Sequence, residues 1–164
     1  MLKKIVFASV LMIASCAHED PGYRYCPNVE ILPQFSKLTR LYGDDVQYKV
    51  ELAGYEGYCR YNPKTDQTVA TIAPVFEIIR PSNLGSANVE IPYFADTSDN
   101  DVPLMKRQPH TYSTRVEEIG KKVLVTGKEI DVRIPNDTPG YKIDLGLSLS
   151  RRQFEYNRRQ GLSD

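Results

Sequence analysis

Few side chains in this sequence are suited to chemistry. Its 164 residues include three cysteines, two histidines and no tryptophan. A general base needs a nucleophile or acid within hydrogen-bond reach. His110 follows Pro109 with no patterned Ser, Cys or Asp partner, and His18 stands two residues from Cys16 on a polar stretch. Both read as structural or solvent-exposed. The sequence holds no GxSxG, HExxH, SxxK or phosphate-loop pattern to support nucleophilic, metal or phosphoryl chemistry. The acidic run at 96–101 (Asp-Thr-Ser-Asp-Asn-Asp) offers oxygen ligands for Ca²⁺, but it lacks the Gly and the distal Glu of an EF-hand loop. It reads as a solvated hairpin loop. Glu117-Glu118 and Asp44-Asp45 are adjacent carboxylates, which on a strand point to opposite faces and cannot act as one acid–base pair. The expectation is a protein that is not an enzyme and takes no metal or cofactor.

Cys16 has a different chemistry. Lys3 and Lys4 precede an uncharged apolar run at 5–13 (IVFASVLMI), and small residues follow. Nine helical residues reach only about 14 Å, roughly half a bilayer core, so this is a secretory signal rather than a span. Ile13-Ala14-Ser15-Cys16 resembles the lipobox of bacterial lipoproteins. The resemblance implies diacylglycerol on the Cys16 sulfur, cleavage before it, and N-acylation afterwards. The alternative is ordinary signal cleavage near Ala17, with Cys16 discarded. Two or three acyl chains make a firm anchor, at roughly 0.8 kcal/mol per buried CH₂. By analogy with enteric sorting rules, Ala17 rather than Asp after the lipidated residue implies the outer membrane. Processing would remove 15 of 164 residues, leaving 149 with 19 basic and 21 acidic side chains, a formal charge of −2.

Cys26 and Cys59 then form an even pair in an oxidising compartment, which favours a disulfide. Closing that loop contributes on the order of 3.5–4 kcal/mol in the chain-entropy model. A free reactive or metal-binding thiol is the alternative, but neither an adjacent base nor a CxxC spacing accompanies it.

Two further groups suit recognition. Seven of the eleven tyrosines (Tyr23, Tyr25, Tyr42, Tyr48, Tyr55, Tyr58, Tyr61) fall within 39 residues. If exposed, they offer a stacking surface for glycans or an anchor for a protein partner. If buried, they report strand propensity and core packing. Arg151, Arg152, Arg158 and Arg159 surround a single Glu155. They suit phosphates, anionic headgroups or an acidic partner, or simply a solvated helix face. Tyr55, Tyr58 and these four arginines are the candidate partner contacts.

These residues need a scaffold. Apolar residues at 41% and charged residues at 26%, with 21 of each sign, describe one ordinary globular domain. Nucleic acid is excluded as a partner by this balance and by the secretory address. Residues 16–25 form a polar tether carrying Pro21-Gly22. Val46, Tyr48, Val50 and Leu52 alternate with polar residues, the period of a half-buried strand. Gly54 and Gly57 bracket a turn, after which Tyr58-Cys59-Arg60-Tyr61 resumes extended. Residues 68–79 read as a central strand in which Pro74 marks a bulge or an edge. Strands over 87–95, 112–119 and 123–134 follow, with Glu118-Ile119-Gly120-Lys121-Lys122 as a hairpin turn between the last two. Residues 141–149 alternate again. Their approach, Pro135 to Tyr141, looks like the tyrosine corner of immunoglobulin-like and fibronectin type III sandwiches; a plain Pro-Gly turn before a strand is the alternative. Ser150-Arg151-Arg152-Gln153 fits a capping box opening a helix that runs to about Arg159 and stops before Gly161, with Phe154 as its apolar anchor. The expected fold is therefore mainly β: an antiparallel, immunoglobulin-like sandwich over 26–149, with a short helix and tail over 150–164.

The segments Cys26-Pro-Asn-Val-Glu-Ile-Leu-Pro33, Leu38-Thr39-Arg40 and Gly57-Tyr-Cys-Arg-Tyr61 also carry a family resemblance. So does the ending Leu147-Ser-Leu-Ser-Arg-Arg-Gln-Phe-Glu-Tyr-Asn-Arg-Arg159. Together they resemble a group of small, uncharacterised alphaproteobacterial outer-membrane lipoproteins with a CP…ILP start and a C-terminal QxxYNR helix. The stretch 96–108 matches that group least. The resemblance implies address and fold and supplies no activity. The leading expectation is a scaffold or accessory subunit of an envelope complex, held to the bilayer through acylated Cys16. A glycan- or lipid-binding lipoprotein is the alternative, and a hydrolase has little support.

Overall fold

The computed structural model describes residues 26–99, 102–103, 107–135, 141–159 and 161. Among them the chain is mainly β, with two sheets and one short C-terminal helix. The first sheet holds β1 (Asn28–Ile31), β5 (Asn88–Asp99), β6 (Val102–Pro103), β7 (Pro109–Arg115) and β10 (Tyr141–Leu147). The second holds β2 (Lys37–Tyr42), β3 (Asp45–Asn62), β4 (Gln67–Ile79), β8 (Lys122–Thr126) and β9 (Ile130–Pro135). A 3-10 turn, Pro33–Phe35, links β1 to β2, and α1 spans Arg151–Arg159.

Alternation explains the sandwich. Tyr48, Val50 and Leu52 of β3, Ile72, Phe76 and Ile78 of β4, and Val132 and Ile134 of β9 turn to one interior. Val89, Ile91 and Tyr93 of β5 and Ile143, Leu145 and Leu147 of β10 meet them from the other sheet. Phe76 sits edge-on to Tyr93 with centroids 5.6 Å apart, a favourable aromatic geometry between the sheets. One ladder departs from the antiparallel expectation. β1 pairs β10 in parallel, Asn28 with Lys142 through Ile31 with Leu145.

Three local expectations are corrected. Gly54 and Gly57 do not bracket a turn, because β3 runs unbroken from Asp45 to Asn62. Its register slips by one residue between Leu52 and Gly54, leaving Ala53 as a bulge. Gly57 serves a close approach instead: a Cβ there would lie 2.7 Å from the Thr71 carbonyl oxygen. Second, 123–134 is two strands. β9 pairs β4 from Gln67 to Ile72 and β8 pairs it from Val75 to Ile79, so the handover falls at Ala73-Pro74. Proline has no N–H for a ladder, and its carbonyl accepts from Gly127 N–H at 2.7 Å. Pro74 thus sits in the central strand, at the seam in its edge. Third, Glu118-Ile119-Gly120-Lys121-Lys122 is no hairpin, since β7 pairs β5 in one sheet and β8 pairs β4 in the other. The segment crosses between sheets, pinned by Gly120 N–H on the Arg80 carbonyl (2.7 Å) and Arg80 Nη1 on the Val116 carbonyl (2.7 Å).

The acidic run is also placed differently. Asp96, Thr97, Ser98 and Asp99 belong to β5, with Thr97 and Ser98 buried, because β10 pairs them in register. The 136–140 corner lies outside the described residues.

On the outer face of the first sheet a second apolar patch forms. Gly146 leaves room for the fully buried Phe94 ring, since a Cβ there would fall 2.6 Å from its Cζ. Phe35 packs edge-on to Phe94 at 5.7 Å, Phe154 of α1 reaches Phe35 at 6.3 Å, and the Arg107 guanidinium lies 3.5 Å over the Phe94 ring.

Candidate functional site

Cys26 and Cys59 form the disulfide expected of them, with Cα atoms 5.7 Å apart. Cys26 leads into β1 of one sheet and Cys59 lies on β3 of the other, so the bridge joins the two layers covalently. Cys16, Tyr23 and Tyr25 lie outside the described residues.

The candidate contacts gather along one margin of the second sheet. Ser150 and Gln153 complete a reciprocal capping box: Ser150 N–H donates to Gln153 Oε1 (2.8 Å) and Gln153 N–H to Ser150 Oγ (3.3 Å). The helix so started lies against β2. Arg152 donates to the Gly43 carbonyl at 3.2 Å and stands 3.7 Å from Asp44, at the far end of β2. Five residues on, Asn157 Nδ2 donates to the Lys37 carbonyl at 2.7 Å, and Thr39 Oγ1 to Asn157 Oδ1 at 3.5 Å. The direction of that carbonyl matters. Leu52 N–H donates to Ser36 O across the β2–β3 ladder, so by strand alternation the next carbonyl, Lys37 O, points out of the sheet. Asn157, 1% exposed, therefore caps the open side of an edge strand. Sequence reasoning missed it. The available signal was its i+3 spacing from the anchor Phe154, which places both on one helix face.

Arg151, Arg152, Arg158 and Arg159 are all exposed. Arg151 is paired with Glu155 at 2.9 Å. Arg158 and Arg159 occupy the last turn, where cations meet the negative end of the helix dipole.

β2 ends its pairing at Lys37 opposite Glu51, and β3 continues beyond it. Tyr55 and Tyr58 stand on this continuation, 42% and 50% exposed, with the Arg60 guanidinium 5.6 Å over the Tyr58 ring. Tyr55 lies four residues past Glu51, roughly 13 Å of strand. The tyrosine pair and the arginine helix thus share a margin without touching. The other tyrosines split: Tyr48 is core and donates to the Glu90 carbonyl (3.0 Å), whereas Tyr42 is exposed. Burial pushes the Tyr48 and Tyr93 phenols above their ordinary pKa.

The remaining chemical candidates are held in the scaffold. His110 stacks on Tyr93 with centroids 5.4 Å apart. Asp96 binds Arg107 Nε at 2.6 Å, and Glu117 binds Arg115 at 2.7 Å. Among the described residues no three His, Cys, Asp or Glu side chains group as metal ligands, and no helix is long and apolar enough to cross a membrane.

Fold and site together define a disulfide-stapled, two-sheet β protein with a helix sealing one sheet edge. No protein-family model, curated protein or solved structure matches the chain.

Proposed function

We propose that this chain is a non-enzymatic envelope lipoprotein, anchored in the bacterial outer membrane through acylated Cys16, and that it serves as a scaffold or accessory subunit of an envelope complex. The observation that carries this reading is the Cys26–Cys59 bridge, which begins ten residues after the lipobox cysteine. A disulfide between two sheets suits an oxidising compartment. It also makes the point where the tether enters the domain mechanically firm, as a scaffold held at a membrane requires. The exposed Tyr55–Tyr58 stretch and the arginine face of α1 supply its contact surfaces, since aromatic and Arg side chains are favoured anchors at interfaces. On the same reading the chain belongs with the small alphaproteobacterial lipoproteins it resembles. The sandwich is of the immunoglobulin-like kind; the pairing of its first strand in parallel with its last supports this, while the β2–β3–β4 meander is its own variation.

The test is a pull-down of the full chain from detergent-solubilised membranes, with mass spectrometry of the mature N-terminus. A diacylated Cys16 and a stoichiometric envelope protein are expected. An unmodified N-terminus at another residue overturns the anchor. Specific retention of lipid or glycan without a protein partner replaces the scaffold with the ligand-binding alternative.

A further inference from the structure

The margin of β3 beyond Leu52 carries information about what it pairs with. The Pro74 carbonyl accepts from Gly127, so Pro74 faces away from β3. Its register partner Tyr55 is then a non-hydrogen-bonded pair, and the N–H and C=O of Tyr55 point outward, as do those of Gly57 and Cys59 by alternation. The Ala53 bulge produces this phase, since Leu52 on its other side points to Ser36. Between these residues Glu56, Tyr58 and Arg60 alternate on one exposed face. Among the described residues no strand pairs this edge over 55–60.

Exposed strand edges template pairing with another chain. We propose that residues 56–60 of β3 pair antiparallel with the same residues of a second copy of this protein, about a two-fold axis through Tyr58. The sequence of this edge is self-complementary in that register. Glu56 of each copy faces Arg60 of the other, Tyr58 faces Tyr58, and the outward groups of Gly57 meet those of Cys59. Of the five two-fold registers centred on residues 56–60, this one alone sets opposite charges against each other. Centring on Glu56 or on Arg60 sets like charges together. Centring on Gly57 sets Glu56 against Tyr58 and Arg60 against Gly54, and centring on Cys59 sets Arg60 against Tyr58 and Glu56 against Asn62. The two Glu56–Arg60 contacts fall at non-hydrogen-bonded positions, where cross-strand side chains lie closest. The charges thus discourage indiscriminate edge pairing while permitting this one.

The pairing is short, so a dissociation constant in the micromolar range is expected. Sedimentation equilibrium of the detergent-solubilised full chain tests it. The wild type should show a reversible monomer–dimer equilibrium. Glu56→Arg and Arg60→Glu should each weaken the dimer roughly tenfold, because each turns two attractive contacts into two repulsive ones. An equimolar mixture of the two variants should dimerise as tightly as the wild type, because the heterodimer restores both opposite-charge contacts. The Glu56→Arg/Arg60→Glu double variant should do the same. Both positions are exposed, and unchanged thermal midpoints of the variants confirm that they fold. A wild type that stays monomeric throughout the micromolar range overturns the proposal. So do single variants that leave the dimer intact, or a mixture that fails to restore it.

Discussion

The two halves of the second sheet's margin treat the same physical problem differently. Along β2, the outward Lys37 carbonyl is taken by a helix side chain, and α1 lies over the edge with Phe154 packed toward Phe35. Along β3 beyond the Ala53 bulge, the outward groups of Tyr55, Gly57 and Cys59 meet no such cover among the described residues. Natural sheets blunt their edges by covering elements, bulges and charge. Here the covered half uses a helix, and the open half uses a bulge, a glycine and two opposite charges. A covering helix on one half and a bulge with opposite charges on the other teach that edge protection is allotted residue by residue along a single sheet margin.

The largest change should come from cutting the staple that holds the open half to the other sheet. Cys26→Ser with Cys59→Ser frees a loop between residues 33 apart in sequence. It should lower unfolding stability by about 3.5 kcal/mol in the chain-entropy model, read as a drop in the urea midpoint. If the open half depends on that bridge, amide exchange of Tyr58 and Arg60, whose N–H groups face β4 by alternation, should accelerate more than that of Val50 on the covered half. Equal acceleration of both halves would show that the strand behaves as one unit.

How far these halves were legible in the sequence follows from the range of the forces that make them. The capping box is local, three residues apart, and Ser150 and Gln153 announce it. The alternation of Tyr48, Val50 and Leu52, and the even pair of cysteines, are likewise readable because their meaning depends on little else. Gly54 and Gly57 misled because glycine marks either a turn or a close backbone approach, and the deciding atom, Thr71 O, lies on another strand. The 118–122 segment misled for a related reason: its residues suit a tight turn, but long-range partners sent its flanking strands to different sheets. Asn157 was hidden because a polar helix residue ordinarily faces water. Of the candidate contacts, Tyr55, Tyr58 and the four arginines are exposed. Their place on one margin required the fold.

The second effect should come from uncovering β2. Asn157→Ala removes the donor to Lys37 O and leaves that carbonyl without its cap. Losing a buried hydrogen-bond partner costs about 1–3 kcal/mol. The thermal midpoint should fall, and the outward amides of Lys37 and Thr39 should exchange faster while those of Glu56 and Tyr58 stay unchanged. An unchanged midpoint would mean that α1 covers the edge by packing alone, with no contribution from its buried amide.

The smallest effect separates the covered half chemically. Tyr48 lies on it, buried, with its hydroxyl donating to the Glu90 carbonyl at 3.0 Å and Arg40 and the Glu90 carboxylate as charged neighbours. Burial raises its pKa above that of an unfolded tyrosine, about 10. The unfolded chain therefore loses this proton first as pH rises, and stability falls with pH from about 10 upward. Below that point the contribution is fully present. Tyr93 shifts in the same direction and for the same cause, so the loss should be shared between the two. Tyr48→Phe should cost about 1 kcal/mol near neutral pH through the lost hydrogen bond, and should make the decline above pH 10 shallower than in the wild type. Urea titrations at a series of alkaline pH values measure both. A variant whose decline is as steep as the wild type's would assign the alkaline loss to Tyr93 and leave the covered half of β3 without a role in it.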